Sequence, residues 1–229
     1  MIEARGLRKS YGATEVLRGL ALEARPGEVT LLIGPNGAGK STTLKLLAGL
    51  ATPDGGHAEI DGIDVFRHSD AARRRLSYLP QTADFHPHFT GSRLARFYAD
   101  LRGAGRDRAA AALDLAGLTE HASRPVKVLS GGMKQRLGLA LLLLPDAPVL
   151  LLDEPGLSLD PAWRSRLQEI LRAEAVRGKT VLVTTHLLAE WNGVAHRCLL
   201  CEDGSVSREI DPAQLSADPV ATAVESSRS

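Results

Sequence analysis

The chain has 229 residues, a hydrophobic fraction of 44%, and 28 basic against 27 acidic side chains. That length suits one substantial α/β domain, alone or with a small insert, and the net charge of +1 gives no bulk electrostatic reason to bind nucleic acid or an anionic membrane surface. The only two cysteines, Cys198 and Cys201, exclude a disulfide framework and point to a reducing cytoplasm.

Met1-Ile2-Glu3-Ala4-Arg5 leads straight into strand-like sequence, so no signal peptide is expected. Residues 2–7 and 16–22 read as strands joined by a turn around Tyr11-Gly12. Pro26-Gly27 is a turn, and the unbroken apolar run at 29–33 is expected of a strand covered on both faces. A Gly-rich loop follows, then helical spacing of Leu44, Leu47 and Ala48 within residues 41–50. Residues 57–67 suggest a hairpin around Asp61-Gly62, and 76–79 a short strand ending at Pro80-Gln81. Residues 82–128, rich in Ala, Arg and Leu, read as a helical insert.

Residues 137–152 are nearly all apolar, but Pro145, Asp146 and Pro148 interrupt them, and a membrane helix needs about 20 mostly apolar residues. The segment is better read as the end of a buried helix over 132–144, a turn and a buried strand over 149–152. Trp163, Leu167, Ile170 and Leu171 have the spacing of a one-sided helix. Residues 180–184 predict a strand, 187–195 a helix and 197–201 a strand, with a last short strand after Asp203-Gly204. Strands alternating with helices in this order imply a mainly parallel sheet covered on both sides.

Gly34-Pro35-Asn36-Gly37-Ala38-Gly39-Lys40-Ser41 fits G-x-x-x-x-G-K-[ST] and sits between a predicted strand and a predicted helix. Its glycines let the backbone curl so that several N–H groups face phosphate oxygens, and the helix N-terminus adds partial positive charge. Lys40 can reach the β- and γ-phosphates, and the Ser41 hydroxyl can take a Mg²⁺ position. Asp153 and Glu154 end an apolar strand at the edge where α/β sheets bind ligands. Taken alone they read as a solvated strand end; beside a phosphate loop, Asp153 is placed to hold Mg²⁺ and Glu154 to polarise an attacking water. Leu129-Ser130-Gly131-Gly132-Met133 precedes a helix and makes a second small anion-binding helix start. A chain with one nucleotide needs one phosphate cradle, so a second makes sense facing the nucleotide of another subunit.

From about residue 2 to about residue 210 the sequence resembles the ATPase subunits of ABC (ATP-binding cassette) transporters, with each family motif in family order. Residues 34–42, which end at Thr42, match the Walker A loop; Tyr11 matches the aromatic that stacks on adenine. Gln81 matches the Q-loop glutamine at the metal and attacking water, and residues 129–133 the signature loop, with Met133 where Gln is usual. Asp153 and Glu154 match the Walker B aspartate and catalytic glutamate, Leu159-Asp160 the D-loop, and His186 the switch histidine that contacts the γ-phosphate. Ser158 stands where Gly is common, and neither departure removes a catalytic group.

The resemblance implies a P-loop NTPase cassette: a mainly parallel sheet core, an antiparallel β subdomain and the helical insert at about 82–128, together spanning 1–215, with 216–229 a flexible tail. It implies ATP and Mg²⁺ as cofactors and a head-to-tail dimer, expected here to be a homodimer. Two ATPs lie between one subunit's Walker loop and the other's Ser130, Gly131 and Gly132. The expected partner is an integral membrane permease subunit, the expected location the cytoplasmic face of the cell membrane, and no nucleic acid is expected. A soluble ABC ATPase acting on nucleic acid or ribosomes is the alternative, against which stand the single cassette and the balanced charge.

The short insert and the lack of an added regulatory domain are similar to the ATPases of small type-2 exporters. Arg74-Arg75-Leu76-Ser77-Tyr78-Leu79-Pro80 and Phe85-His86-Pro87-His88-Phe89-Thr90-Gly91 are similar to the ATPase of the transporter that supports copper-site maturation of nitrous-oxide reductase; heme, drug, polysaccharide and sodium exporters stay open. Cys198 and Cys201 have C-x2-C spacing, but three-apart positions in a strand face opposite ways, so buried structural thiols are expected. His86 and His88 make an incomplete metal site and are read as surface residues that meet the membrane partner.

Overall fold

The computed structural model describes residues 1–186 and 188–214; the expected tail at 216–229 lies outside the described residues. Two sheets share the work. The first is antiparallel, in the order β2-β1-β4-β5, built from β1 (Ile2–Tyr11), β2 (Thr14–Ala24), β4 (Gly55–Ile60) and β5 (Ile63–Asp64). The second runs β10-β9-β3-β8-β7-β6, from β3 (Val29–Ile33), β6 (Leu76–Leu79), β7 (Val149–Asp153), β8 (Thr180–Thr184), β9 (Arg197–Glu202) and β10 (Ser205–Ile210). Its strands are parallel except β10, which pairs antiparallel with β9.

Every residue of β3, β7 and β8 is buried, which is why they read as unbroken apolar runs rather than as alternation. One face of the large sheet packs, together with α1 (Lys40–Leu47), against the antiparallel sheet, through Leu32, Leu44, Leu151, Leu182 and Ile60 among others. The other face packs against α5 (Gly131–Leu143) and α6 (Pro161–Val176) through Leu139, Leu142, Leu167 and Leu171. The insert supplies α3 (Gly91–Arg102) and α4 (Arg106–Leu115), which close a third cluster on the far side of α5 with Leu137, Ala140 and Leu141. Helix α5 therefore has apolar residues all round because it is buried on two sides. The expected parallel core, antiparallel subdomain and helical insert are all present.

Three local expectations are revised. The helix predicted at 187–195 is a single 3-10 turn, Leu188–Trp191, because Gly193 at φ +77° turns the chain while Trp191 plugs the core. Helix α1 stops at Leu47 rather than 50, closed by Gly49 at φ +66°. A six-residue helix, α2 (Ser69–Arg74), is additional, and is too short to show a period.

Candidate functional site

The chemistry-bearing residues gather where β3, β7 and β8 end. Gly34 leaves β3 at φ +149°, and a Cβ there would stand 2.0 Å from the Cys201 carbonyl oxygen, so no other residue fits. Gly37 and Gly39 also have positive φ, and Gly39 caps α1 with no room for a side chain against Leu17. Pro35 accepts from the Ala38 N–H at 3.2 Å, closing the loop; Asn36 and Gly37 are exposed at its crest, and Thr42 follows in the first turn of α1. Behind the loop the Cys201 thiol donates to the Ala38 carbonyl at 3.1 Å.

Lys40 is buried and donates to the carbonyls of Gly34 at 2.7 Å and Pro35 at 2.9 Å. Burial lowers its pKa, and the neighbouring acidic groups, Glu154 first, oppose that. The Ser41 hydroxyl donates to Asp153 Oδ1 at 3.0 Å, and the Thr184 hydroxyl to the same oxygen at 2.6 Å. A hydroxyl and a carboxylate oxygen held together are the hard donors that Mg²⁺ takes, so this pair fits the ion. Thr184 Oγ1 also accepts from the Glu154 N–H at 3.0 Å. That bond helps hold Glu154 at φ +47°, a conformation few residues with side chains adopt. Glu154 Oε2 lies 2.7 Å from His186 Nδ1, so carboxylate and imidazole, both largely buried, form a pair.

Other predicted residues stand around this centre. The β6–β7 register pairs Leu79 with Leu152, so Gln81 leaves the sheet on the Asp153 side, exposed. Tyr11 is half exposed at the hairpin tip, with the Lys9 ammonium 5.4 Å from its ring centroid. Ser130 caps α5 by accepting from the Met133 N–H at 3.2 Å, and Asp160 caps α6 by accepting from the Trp163 N–H at 2.9 Å. A Cβ on Gly132 would meet the Ser158 carbonyl at 3.0 Å, so Gly131 and Gly132 neighbour the 155–160 loop rather than the loop at 34–42. Cys198 and Cys201 pack into opposite faces of the sheet, as the strand period requires. The rings of His86 and His88 are 5.9 Å apart at their centroids.

Two contributors were not legible. Thr184 joins Asp153 to Glu154, yet in sequence it is one more threonine in an apolar strand. Gln135, two residues past Met133, donates from a buried amide to the Pro155 carbonyl at 3.2 Å and links α5 to the loop after Glu154.

Known proteins resemble the chain along most of its length. The family described as ABC transporter matches residues 17–156. The Nod factor export ATP-binding protein I of Paraburkholderia xenovorans is 39% identical over 223 residues, covering 96% of this chain and 73% of the relative. The daunorubicin/doxorubicin resistance ATP-binding protein DrrA of Streptomyces peucetius is 40% identical over 212 residues, covering 91% of this chain and 64% of that protein. Among solved structures, a dimeric ATP-binding cassette bound to ADP and Pi in a post-hydrolysis state superposes with a TM-score of 0.86 at 27% identity, covering 93% of this chain and 99% of the other.

Proposed function

The chain belongs to the ABC transporter ATPase family, and on that basis we propose that it is the motor of an exporter, closing as a head-to-tail homodimer on ATP and driving a separate membrane permease. The observation that carries this is the split between two surfaces. Lys40, Ser41, Asp153, Glu154 and His186 converge on one edge, while the capped turn at Ser130 lies with Ser158, so each chain offers half a site.

In this reading the N–H groups of residues 34–42 take the phosphates, which displace the Gly34 and Pro35 carbonyls from Lys40. Tyr11 stacks on the adenine. Ser41, Gln81 and Asp153 hold Mg²⁺, which when bound neutralises phosphate charge. Glu154 is the general base for water, and His186 holds its carboxylate until a terminal phosphate competes for the imidazole. Ser130, Gly131, Gly132 and Asp160 complete the partner's site. The domain spans 1–215.

Among the described residues no helix is long and apolar enough to cross a membrane. The cleft of about 390 Å³ between β6 and the insert, lined by Pro80, Phe85, Tyr98, Leu101, Arg102 and Gly138, suits the permease, with the chain peripheral on the cytoplasmic face. One relative is named for Nod factor export and the other for drug resistance, which supports an exporter whose cargo the permease selects. A finer reading, copper-site maturation of nitrous-oxide reductase, is supported by the likeness at 74–80 and 85–91. It requires that a strain lacking this chain make copper-poor reductase, and normal metal content removes it.

The test of the transporter reading is purification of the tagged chain from detergent-solubilised native membranes. A polytopic membrane protein in stoichiometric amount is expected. Recovery with ribosomes or DNA, and no membrane protein, would overturn it in favour of a soluble ABC ATPase.

A further inference from the structure

The first turn of α6 carries a contact that the ATP chemistry does not use. Trp163 leaves this turn toward α5 and the insert. The Arg136 guanidinium lies over its ring, 4.3 Å from the centroid, and the same group donates to the Gly117 carbonyl at 3.5 Å. Gly117, just past α4, has φ +60°, and a Cβ there would stand 2.6 Å from Trp163 Cζ2 and 3.3 Å from Arg136 Nη1. Insert backbone, guanidinium and indole are thus in close contact at Gly117, beside an open cleft that Gly117, Trp163 and Arg166 line. Arg164, the next residue, turns the other way: it pairs with Glu190, four residues past His186, and packs on Gly156 of the loop after Glu154.

Two of the groups touching Trp163 lead to residues offered across the dimer. Arg136 belongs to α5, whose cap is Ser130. The Trp163 N–H is the one that Asp160 accepts. Gly132 already abuts the Ser158 carbonyl and Gln135 donates to the Pro155 carbonyl, so α5 and the α6 entry loop touch at the front, and the Trp163–Arg136 stack is a further contact behind. The front contacts reach the entry loop, and the stack reaches α6 itself, which is what an angle between the two helices needs. Arg164 adds the tie from this turn to the segment carrying His186.

We propose that Trp163 and Arg136 are positioning residues whose stack sets the angle between α5 and α6, so that Ser130, Gly131, Gly132 and Asp160 meet the partner's nucleotide as one rigid unit. This role presupposes the head-to-tail dimer proposed above. A planar guanidinium on an indole is a directional contact that an ammonium does not reproduce, and phenylalanine keeps the ring face while alanine removes it.

The experiment is sedimentation of the ATP-driven dimer in a Glu154→Gln chain carrying Trp163→Ala or Trp163→Phe, with ATP affinity of the monomer measured separately. Trp163→Ala weakens dimerisation about tenfold, Trp163→Phe recovers most of it, and monomer affinity for ATP is unchanged in both. An unchanged dimer constant in Trp163→Ala overturns the assignment. So does equal loss in both variants, or a parallel loss of ATP affinity, either of which marks a role in folding only. A Glu154→Gln chain that never dimerises on ATP removes the dimer reading itself, and this role with it.

Discussion

One hydroxyl organises the proposed catalytic edge. Thr184 Oγ1 donates to Asp153 Oδ1 at 2.6 Å and accepts the Glu154 N–H at 3.0 Å, so the carboxylate proposed for the metal and the one proposed as base share an anchor. Thr184→Val keeps the shape and removes both bonds, although the Glu154 N–H retains the Thr184 carbonyl at 3.1 Å. A buried bond to a charged acceptor is worth about 1.5–3 kcal/mol, and loss of that order is expected in urea unfolding. ATPase kcat should fall at least about tenfold as Glu154 is released from its positive-φ conformation, with Thr184→Ser close to wild type. Equal activity in Thr184→Val and wild type would show that the strand alone sets Glu154. Cys201 makes an independent test of the loop. Burial pushes its thiol up to about 11 from an ordinary 9.0, and Lys40 only partly offsets this. A raised pKa leaves less thiolate at any given pH. Native protein at pH about 8 should therefore resist thiol alkylation at Cys201, with reactivity rising only as pH climbs through that value, whereas guanidinium exposes the thiol at once. Rapid alkylation of the native chain at pH about 8 would contradict the packed contact with Ala38.

At the scale of elements, helix α5 depends on a glycine facing β6. A Cβ at Gly138 would stand 2.6 Å from Leu79 Cδ1 and 3.2 Å from Ala83 Cβ, so Gly138→Ala must displace the Leu79 side chain or the helix itself beside the strand that leads to Gln81. Overpacking of this kind costs about 1–3 kcal/mol, and for a chain of this size Tm should fall by about 2–10 °C in calorimetry. An unchanged Tm would mean the helix shifts freely there. The same helix shows where sequence suffices. Strands β3, β7 and β8 were legible because burial on both faces leaves apolar runs, and the apolar stretch at 137–152 resolved into helix and strand at Pro145-Asp146. The helix expected at 187–195 failed because Leu188, Trp191 and Ala195 have helical spacing, yet Gly193 takes positive φ and ends the turn. Within the site, contiguous motifs were legible: the loop at 34–42, Asp153-Glu154 and the Ser130 cap. Pairings across the fold were not. Thr184 with Asp153, Gln135 with Pro155 and Trp163 with Arg136 join residues 20 to 31 positions apart on different elements, where no local pattern marks them.

At the scale of the molecule, the proposed reading turns on no single chain holding a whole site. Glu154→Gln removes the proposed base but leaves the surface offered to the partner. Ser130→Arg spoils that surface but leaves Lys40, Asp153, Glu154 and His186 in place, losing only a cap worth about 1 kcal/mol. Each variant alone should be nearly inactive, the first by losing the base in both sites and the second by losing both cross-subunit contacts. Mixed before ATP is added, half the dimers are heterodimers by random pairing. Each heterodimer pairs the intact Walker edge of the Ser130→Arg chain with the intact signature turn of the Glu154→Gln chain, giving one complete site of two. Activity should return to about a quarter of wild type, if the two sites turn over independently, and should show a second-order dependence on protein concentration at high dilution. Recovery above either parent at all requires residues of two chains in one site, since each chain carries its own lesion in every site it could build alone. A mixture no more active than its parents would mean either that both sites must fire together or that the site is built within one chain. Wild-type ATPase settles which: a specific activity that falls on dilution belongs to the obligate pair, and one that stays constant down to concentrations where the chain sediments as a monomer belongs to the self-contained site.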